Sequence, residues 1–131
     1  PNPAMAFRDG RLLMPFGTPG ADSQVQAMLQ MFLNLVEFGM NTQQAIEAPR
    51  AVSSSFPDSF WPHAYPPGLL RVEGRIPREV SQELGRRGHQ VEVLDDWTLA
   101  VGGLCGIWVD QANGALIGGA DPRRECYAIG R

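Results

Sequence analysis

At 131 residues and 44% hydrophobic, the chain has the length of one domain and enough apolar material for a core, with no internal boundary expected over 1–131. Its net charge of −3 is small, and its eleven basic residues, all arginine, are scattered rather than gathered into a stripe, which argues against a nucleic-acid partner. No apolar stretch approaches the roughly 20 residues that span a bilayer and nothing reads as a signal peptide, so no membrane partner is expected.

The opening "PNPAMAF" lacks an initiator Met and enters a strand-like pattern almost at once, so the chain reads as a segment of a longer protein. Residues 4–8 and 11–16 are apolar-rich runs split by Asp9-Gly10, the residue pair of a tight hairpin. "FGTPGAD" follows, with Gly17, Thr18, Pro19, Gly20 and Ala21 between strand and helix. Small and turn-forming residues there let the backbone come close to a ligand or a developing negative charge. Val25, Met28, Leu29, Phe32, Leu33, Leu35 and Val36 then recur at helical spacing, with Asp22 or Ser23 placed to cap the first turn and Gly39 to end the last. This helix is expected to be roughly 22–25 Å long and buried over much of its surface.

A short second helix should start after Asn41 or Thr42 and stop before Pro49. Residues 50–54 read as a strand, and 55–68, with four prolines and Phe56, Phe60, Trp61 and Tyr65, as a rigid loop. A strand over 69–73, a helix over 77–87 with Pro77 in its first turn and Gly88 past its end, and a strand over 90–94 form a strand–helix–strand unit. Residues 103–110 and 115–119 flank Asn113-Gly114, again hairpin chemistry. Both runs are apolar without alternation, which predicts a sheet covered on both faces.

Several positions could carry chemistry. The start of the long helix leaves backbone N–H groups unpaired beside Gly20 and Ala21, so the turn fits both a plain structural role and an oxyanion site; a capping Asp22 would compete with an anionic ligand. Asp121, Arg123 and Arg124 could grip a carboxylate, or simply close the last turn through an Arg–Asp pair. His63 and His89 have no nearby Ser or Cys that would mark a nucleophile and base and read as surface residues, as does the pair Asp95-Asp96. Trp61, Tyr65, Trp97 and Trp108 read as core or interface anchors. Cys105 and Cys126 have no metal-ligand spacing; they read as two small, buried or half-buried residues, with a disulfide or ligand role as the other option.

The order of these pieces carries a resemblance. "MPFGTPGADSQVQAMLQMFLNLVEFGMNTQQAIEAPR", closed at the far end by "GGADPRRECYAIGR", resembles the C-terminal part of the small subunit of the γ-glutamyltranspeptidase family, within the N-terminal-nucleophile hydrolase superfamily. The likeness covers nearly the whole chain. It implies an α+β fold that forms part of a four-layer αββα sandwich. It also implies a precursor that cuts itself and exposes a Thr, whose hydroxyl attacks an amide while its own α-amino group serves as base. Carried onto this sequence, Gly20 and Ala21 would supply the two main-chain donors of the oxyanion hole, with Thr18 and Asp22 shaping the substrate-binding wall.

Three departures matter. Transpeptidases commonly read glycine-glycine-serine where this chain has Gly20-Ala21-Asp22, which points to the acylase-like and amidohydrolase-like branch, an oxamate amidohydrolase included. The nucleophilic Thr and the groups that hold the substrate's α-amino group would lie upstream of Pro1; Thr18 is internal and cannot serve as an N-terminal nucleophile. The paired serines of the transpeptidases would also fall before Pro1. The expected partners are a small-molecule amide or γ-glutamyl substrate, the large subunit and the upstream part of the small subunit of the same precursor, and a homodimer of heterodimers. The reaction calls for no metal or organic cofactor, the segment alone should be inactive, and the compartment stays open, the cytoplasm being favoured over the periplasm.

Overall fold

The computed structural model describes residues 2–130, and its elements follow in chain order. Strands β1 (Asn2–Arg8) and β2 (Arg11–Thr18) lead through a 3-10 turn (Ala21–Ser23) into helix α1 (Gln24–Val36) and helix α2 (Thr42–Glu47). Then come β3 (Ala51–Ser53), β4 (Leu69–Glu73), α3 (Arg78–Arg86) and β5 (Gln90–Leu94). A second 3-10 turn (Leu99–Val101) precedes β6 (Cys105–Val109) and β7 (Leu116–Ala120).

The first hairpin forms as the Asp9-Gly10 pair requires. Both residues take positive φ, 52° and 74°, so the turn's twist matches that of the strands it joins. The hairpin is the edge of an antiparallel sheet ordered β1-β2-β6-β7. The far turn differs from expectation. Asn113 and Gly114 do not form a two-residue turn; the loop runs over 111–114, closed by Gly114 N–H donating to the Asp110 carbonyl at 2.8 Å, and only Gly114 has positive φ. The Asn113 side chain instead accepts from Ala115 N–H at 2.8 Å, a local bond that competes with the tight turn.

Helix α1 has 13 residues, about 20 Å at 1.5 Å per residue, shorter than the sequence suggests because the 3-10 turn takes up its first residues. Ala27, Met28, Met31 and Leu35 face one way and bury against Met14, Leu104, Ala45 and Ile46. Val25 and Leu29, more than half exposed, form a bare strip on the helix, so within this chain it is not buried all round. Helix α2 starts with a capping box: Gln44 N–H donates to the Asn41 side chain at 2.9 Å, and Asn41 N–H donates to Gln44 Oε1 at 3.1 Å. Both helices lie on the β1-β2-β6-β7 sheet over Gly106 and Gly119, whose missing side chains leave room for Met31 and Ile46.

The second sheet pairs β3 antiparallel with β4, and β4 parallel with β5, α3 being the crossover. Two glutamines one turn apart on α1 join it to the helix. Gln26 donates to the Ser53 carbonyl (3.0 Å) and accepts from Ser53 N–H (2.8 Å); Gln30 does the same with Ala51 (2.8 and 3.0 Å). Their amides act as the next strand would, satisfying the free edge of β3.

The opposite face of the first sheet is apolar and open: Met5, Phe7, Ile107 and Leu116 are between 40% and 69% exposed. The expected cover on both sides is therefore absent within this chain for the β6–β7 hairpin. A contiguous apolar sheet face in water favours association. The isolated segment is accordingly expected to aggregate or to bind a hydrophobic dye strongly in a fluorescence assay; a dye-silent monomer by light scattering would contradict this.

Candidate active site

Between β2 and α1 the backbone makes an unusual passage. Gly20 has φ 136° and Ala21 φ 50°, two successive residues in territory that side chains disfavour; for an alanine this costs about 1–2 kcal/mol. What holds it there is a set of short bonds. The Gly20 carbonyl accepts from Ser23 N–H (3.1 Å) and from the Ser23 hydroxyl (2.6 Å), and the Thr18 hydroxyl donates to the Pro19 carbonyl (2.7 Å). The N–H groups of Gly20 and Ala21 find no acceptor among the described residues, and no side chain caps this helix start. Adjacent free donors at the positive end of a helix suit an oxygen that gains negative charge.

Neither expected cap acts as one. Asp22 turns outward, accepting from Ser59 N–H at 2.8 Å and from the Ser59 hydroxyl, and Ser23 spends its hydroxyl on Gly20. The cause is the left-handed step at Gly20 and Ala21, which winds the first turn as 3-10 and swings Asp22 toward the loop over 55–68. The Asp22 carboxylate thus does not compete for the free N–H groups. The side-chain bond from Ser59, then its backbone bond, hold the Asp22 pKa below the usual carboxylate value. Removing the hydroxyl in Ser59→Ala should let that pKa rise toward 3.8, visible in a carboxylate-resolved NMR titration.

A rigid platform backs the turn. Thr18 is 4% exposed, and its oxygen also accepts from Gly103 N–H at 2.8 Å. Gly102 fits against Gly20 so closely that a Cβ on Gly20 would lie 3.1 Å from Gly102 Cα. The platform is in turn held by charge. Arg50 donates to the Val101 carbonyl (3.1 Å) and pairs with Asp121 (2.6 Å), whose same oxygen accepts Leu104 N–H at 2.9 Å. Arg123 grips Glu73 through two bonds of 2.6 Å and reaches the other Asp121 oxygen at 3.1 Å. Arg50, Asp121, Arg123 and Glu73 are all buried. Burial pushes the Asp121 pKa up, but the Arg50 charge and the N–H groups of Leu104 and Arg123 outweigh it and hold the group below its usual value. Burial lowers the Arg50 pKa, while Arg123, despite burial, is raised by Glu73 and Asp121.

Of the two sequence readings of the ADPRR segment, the structure contains the ion-pair one. Arg123 has no free donor edge to offer a substrate carboxylate, and Arg124 lies along Gly103 instead. His63 and His89 are exposed, and His63 Nδ1 contacts the Asp58 carbonyl at 2.8 Å. Asp95 and Asp96 are exposed too; Trp97 sits under the Arg75 guanidinium, 3.5 Å from the ring centroid. Gly102, Gly103, Arg50 and Glu73 escaped the sequence reading. The one signal for them is the Gly102-Gly103 pair after a helical turn, the mark of a close backbone approach.

Two cavities flank the turn. One, of about 230 Å³, lies between Gly20, Asp22, Ser54, Phe56, Arg71 and Val101. The other, of about 760 Å³, opens on Thr18, Pro19 and the bare apolar sheet face.

Residues 2–130 match the sequence profile of the γ-glutamyltranspeptidase family. The chain belongs to that family. Its curated relatives include glutathione-hydrolase-like, acylase and oxamate amidohydrolase proenzymes. It is 38% identical over 128 residues to the glutathione hydrolase-like YwrD proenzyme of Bacillus subtilis, covering 98% of this chain and 23% of that protein. It is 34% identical over 130 residues to the oxamate amidohydrolase proenzyme of Klebsiella pneumoniae, with the same coverage of 98% and 23%. Among solved structures, LmbA2991HD superposes with a TM-score of 0.90 at 42% identity, over 98% of this chain and 23% of that one. The chain therefore spans under a quarter of these relatives. Its mixed α/β architecture is that of the family's N-terminal-nucleophile hydrolases, whose acylase and transpeptidase structures it matches.

Proposed function

We propose that this chain is the C-terminal segment of the small subunit of an N-terminal-nucleophile amide hydrolase or γ-glutamyl transferase, and that Gly20 and Ala21 are its oxyanion donors. The observation that carries the reading is the pair of adjacent N–H groups left without a protein acceptor at the head of α1, on a turn braced from behind. A Thr exposed upstream by self-cleavage supplies the nucleophile. Its hydroxyl oxygen bonds to the amide carbon, its α-amino group takes the proton, and the carbonyl oxygen becomes an oxyanion facing the two N–H groups. Collapse expels the amine with that proton and leaves an ester on Thr. Water or a second amine then takes the acyl group. Fixed donors stabilise the adduct without reorganising, worth roughly 3–4 kcal/mol each.

Thr18 contributes as a buried brace and Asp22 as the tie to the 55–68 loop at the pocket wall. The large subunit and the upstream part of the small subunit cover the open apolar faces, and two such heterodimers pair. The test is an assay of the full-length processed protein against γ-glutamyl, cephalosporin-type and short dicarboxylic monoamide substrates, beside intact-mass analysis. The reading expects a precursor cleaved before a Thr upstream of this segment and turnover of at least one amide class. An uncleaved chain with no turnover would reject it.

A further inference from the structure

The smaller of the two cavities beside the turn is walled by the loop over 55–68. Buried Val52 and Val101 lie at its base, and the loop contributes Phe56 and Pro66. The loop is stiffened from within: Asp58 N–H donates to the Ala64 carbonyl (2.9 Å), His63 N–H to the Phe60 carbonyl (2.7 Å) and Gly68 N–H to the Ser55 hydroxyl (2.9 Å). Through Ser59 it is tied to Asp22, the residue that follows Gly20 and Ala21. The cavity's volume of about 230 Å³ falls below the roughly 300–1,000 Å³ of sites that enclose a whole small ligand, so it suits one part of a substrate.

The two flanks of the turn decide which part. Under the reading above, the upstream segment enters beside Thr18, because Asn2 pairs with Thr18, and the larger cavity lies there, against Asn2, Thr18 and Pro19. That flank belongs to the nucleophile and the acyl group. The smaller cavity shares no lining residue with it and meets the turn at Gly20 and Asp22, so it is left for the departing amine. Charge narrows the class further. Asp22 and Asp58 line the smaller cavity against one cation, Arg71, whose Nε already donates to Glu92 at 2.9 Å. A carboxylate entering there meets a negative wall, whereas the ammonium left by cleavage is attracted to it.

We propose that this cavity is the leaving-amine subsite of the reaction set out above, on which the assignment rests, and that it selects apolar amines carrying no carboxylate, with Phe56 as the specificity-determining side chain.

The test uses the full-length processed protein and three amides of the acyl group that the assay above finds turned over, γ-glutamyl first. These are the phenethylamide, the amide formed with phenylalanine, which adds one carboxylate, and the methylamide, which has no group to fill the cavity. The phenethylamide should exceed the phenylalanine derivative in kcat/KM by about fivefold or more, the size of one like-charge contact in water. In Phe56→Ala the ratio of phenethylamide to methylamide kcat/KM should fall about tenfold, a change that a general loss of folded enzyme does not produce. Asp58→Asn, which keeps an oxygen for the Phe60 N–H that Asp58 Oδ1 accepts at 2.7 Å, should raise the phenylalanine derivative relative to the phenethylamide. Fluorine NMR of 4-fluorophenethylamine supplies a readout that needs no turnover: the amine should bind the wild type and bind more weakly to Phe56→Ala. Amide turnover with these ratios unmoved, or with amine binding indifferent to Phe56, overturns the subsite and leaves the functional reading standing. No turnover of any amide overturns both.

Discussion

Gly20→Val in the full-length enzyme is expected to lower kcat by roughly 100-fold or more, with KM changed far less. The geometry sets the size of the effect. At φ 136° any side chain is strained, and a Cβ there would approach the Ser23 hydroxyl to 2.7 Å and Gly102 Cα to 3.1 Å. The hydroxyl is the end of a rotatable side chain and can give way. Gly102 cannot, because it belongs to the platform that Thr18 and the ion network hold. The turn itself must therefore shift, and the adjacent N–H groups lose their aim. Misdirecting one preorganised donor forfeits about 3–4 kcal/mol of transition-state binding and little ground-state binding, so the loss falls on kcat. Ala21→Gly is the contrasting control. Ala21 already sits at φ 50° with its Cβ accommodated, so glycine there only relieves strain, and kcat should stay within a few-fold of wild type. Steady-state kinetics on the two variants decide the matter: an unchanged kcat in Gly20→Val means these donors do not face the reacting carbonyl.

What the sequence disclosed and what it withheld divide along the range of the forces involved. The Asp9-Gly10 hairpin, the Asn41 cap and the β4-α3-β5 crossover follow from residues that interact within one turn or one helix, and each stands where local chemistry puts it. The small-residue passage at 17–22 was legible for the same reason, since only a backbone in need of room uses such residues there. Asp22 was misread as a cap because its partner, Ser59, lies 37 positions away and wins it from the helix. Thr18 meets Gly103 across 85 positions, and Arg50 meets Asp121 across 71, so no window of sequence could have joined the turn to its platform. The covering of the β6–β7 hairpin was inferred from the absence of alternation. That inference describes the environment the strands are suited to, and within this chain half of that environment is missing.

The buried ion network should be the most sensitive structural element. Asp121→Asn is expected to destabilise the processed protein by about 3–5 kcal/mol, because it strands a buried charge. Asparagine keeps an oxygen for Leu104 N–H, and Arg123 keeps its two-pronged hold on Glu73, so the damage concentrates on Arg50. That guanidinium is 2% exposed; the asparagine oxygen can still accept from it, but with the carboxylate's charge gone its acceptors there, the carbonyls of Ile46 and Val101 included, are all neutral. Removing both charges, in Arg50→Met with Asp121→Leu, should recover part of the loss, since an apolar replacement of a buried pair often comes out near neutral. It cannot recover all of it. Leu104 and Arg123 N–H would then lose their acceptor, at about 1–3 kcal/mol for each buried donor left unmet. Urea-unfolding midpoints of the two variants, with the Arg50→Met and Asp121→Leu singles completing the cycle, give the coupling directly. The pH dependence supplies an independent check. The Asp121 pKa is depressed in the fold, so its contribution is present above 3.8 and fades as pH falls through the lower folded value. The gap between wild type and Asp121→Asn should therefore hold through neutral and mildly acid conditions and close only below 3.8. A gap that closes near pH 6 would place the controlling proton on some other group. A gap of under about 1 kcal/mol at neutral pH would mean Arg50 finds solvent when its partner goes, and that the platform behind Gly20 is looser than its hydrogen bonds imply.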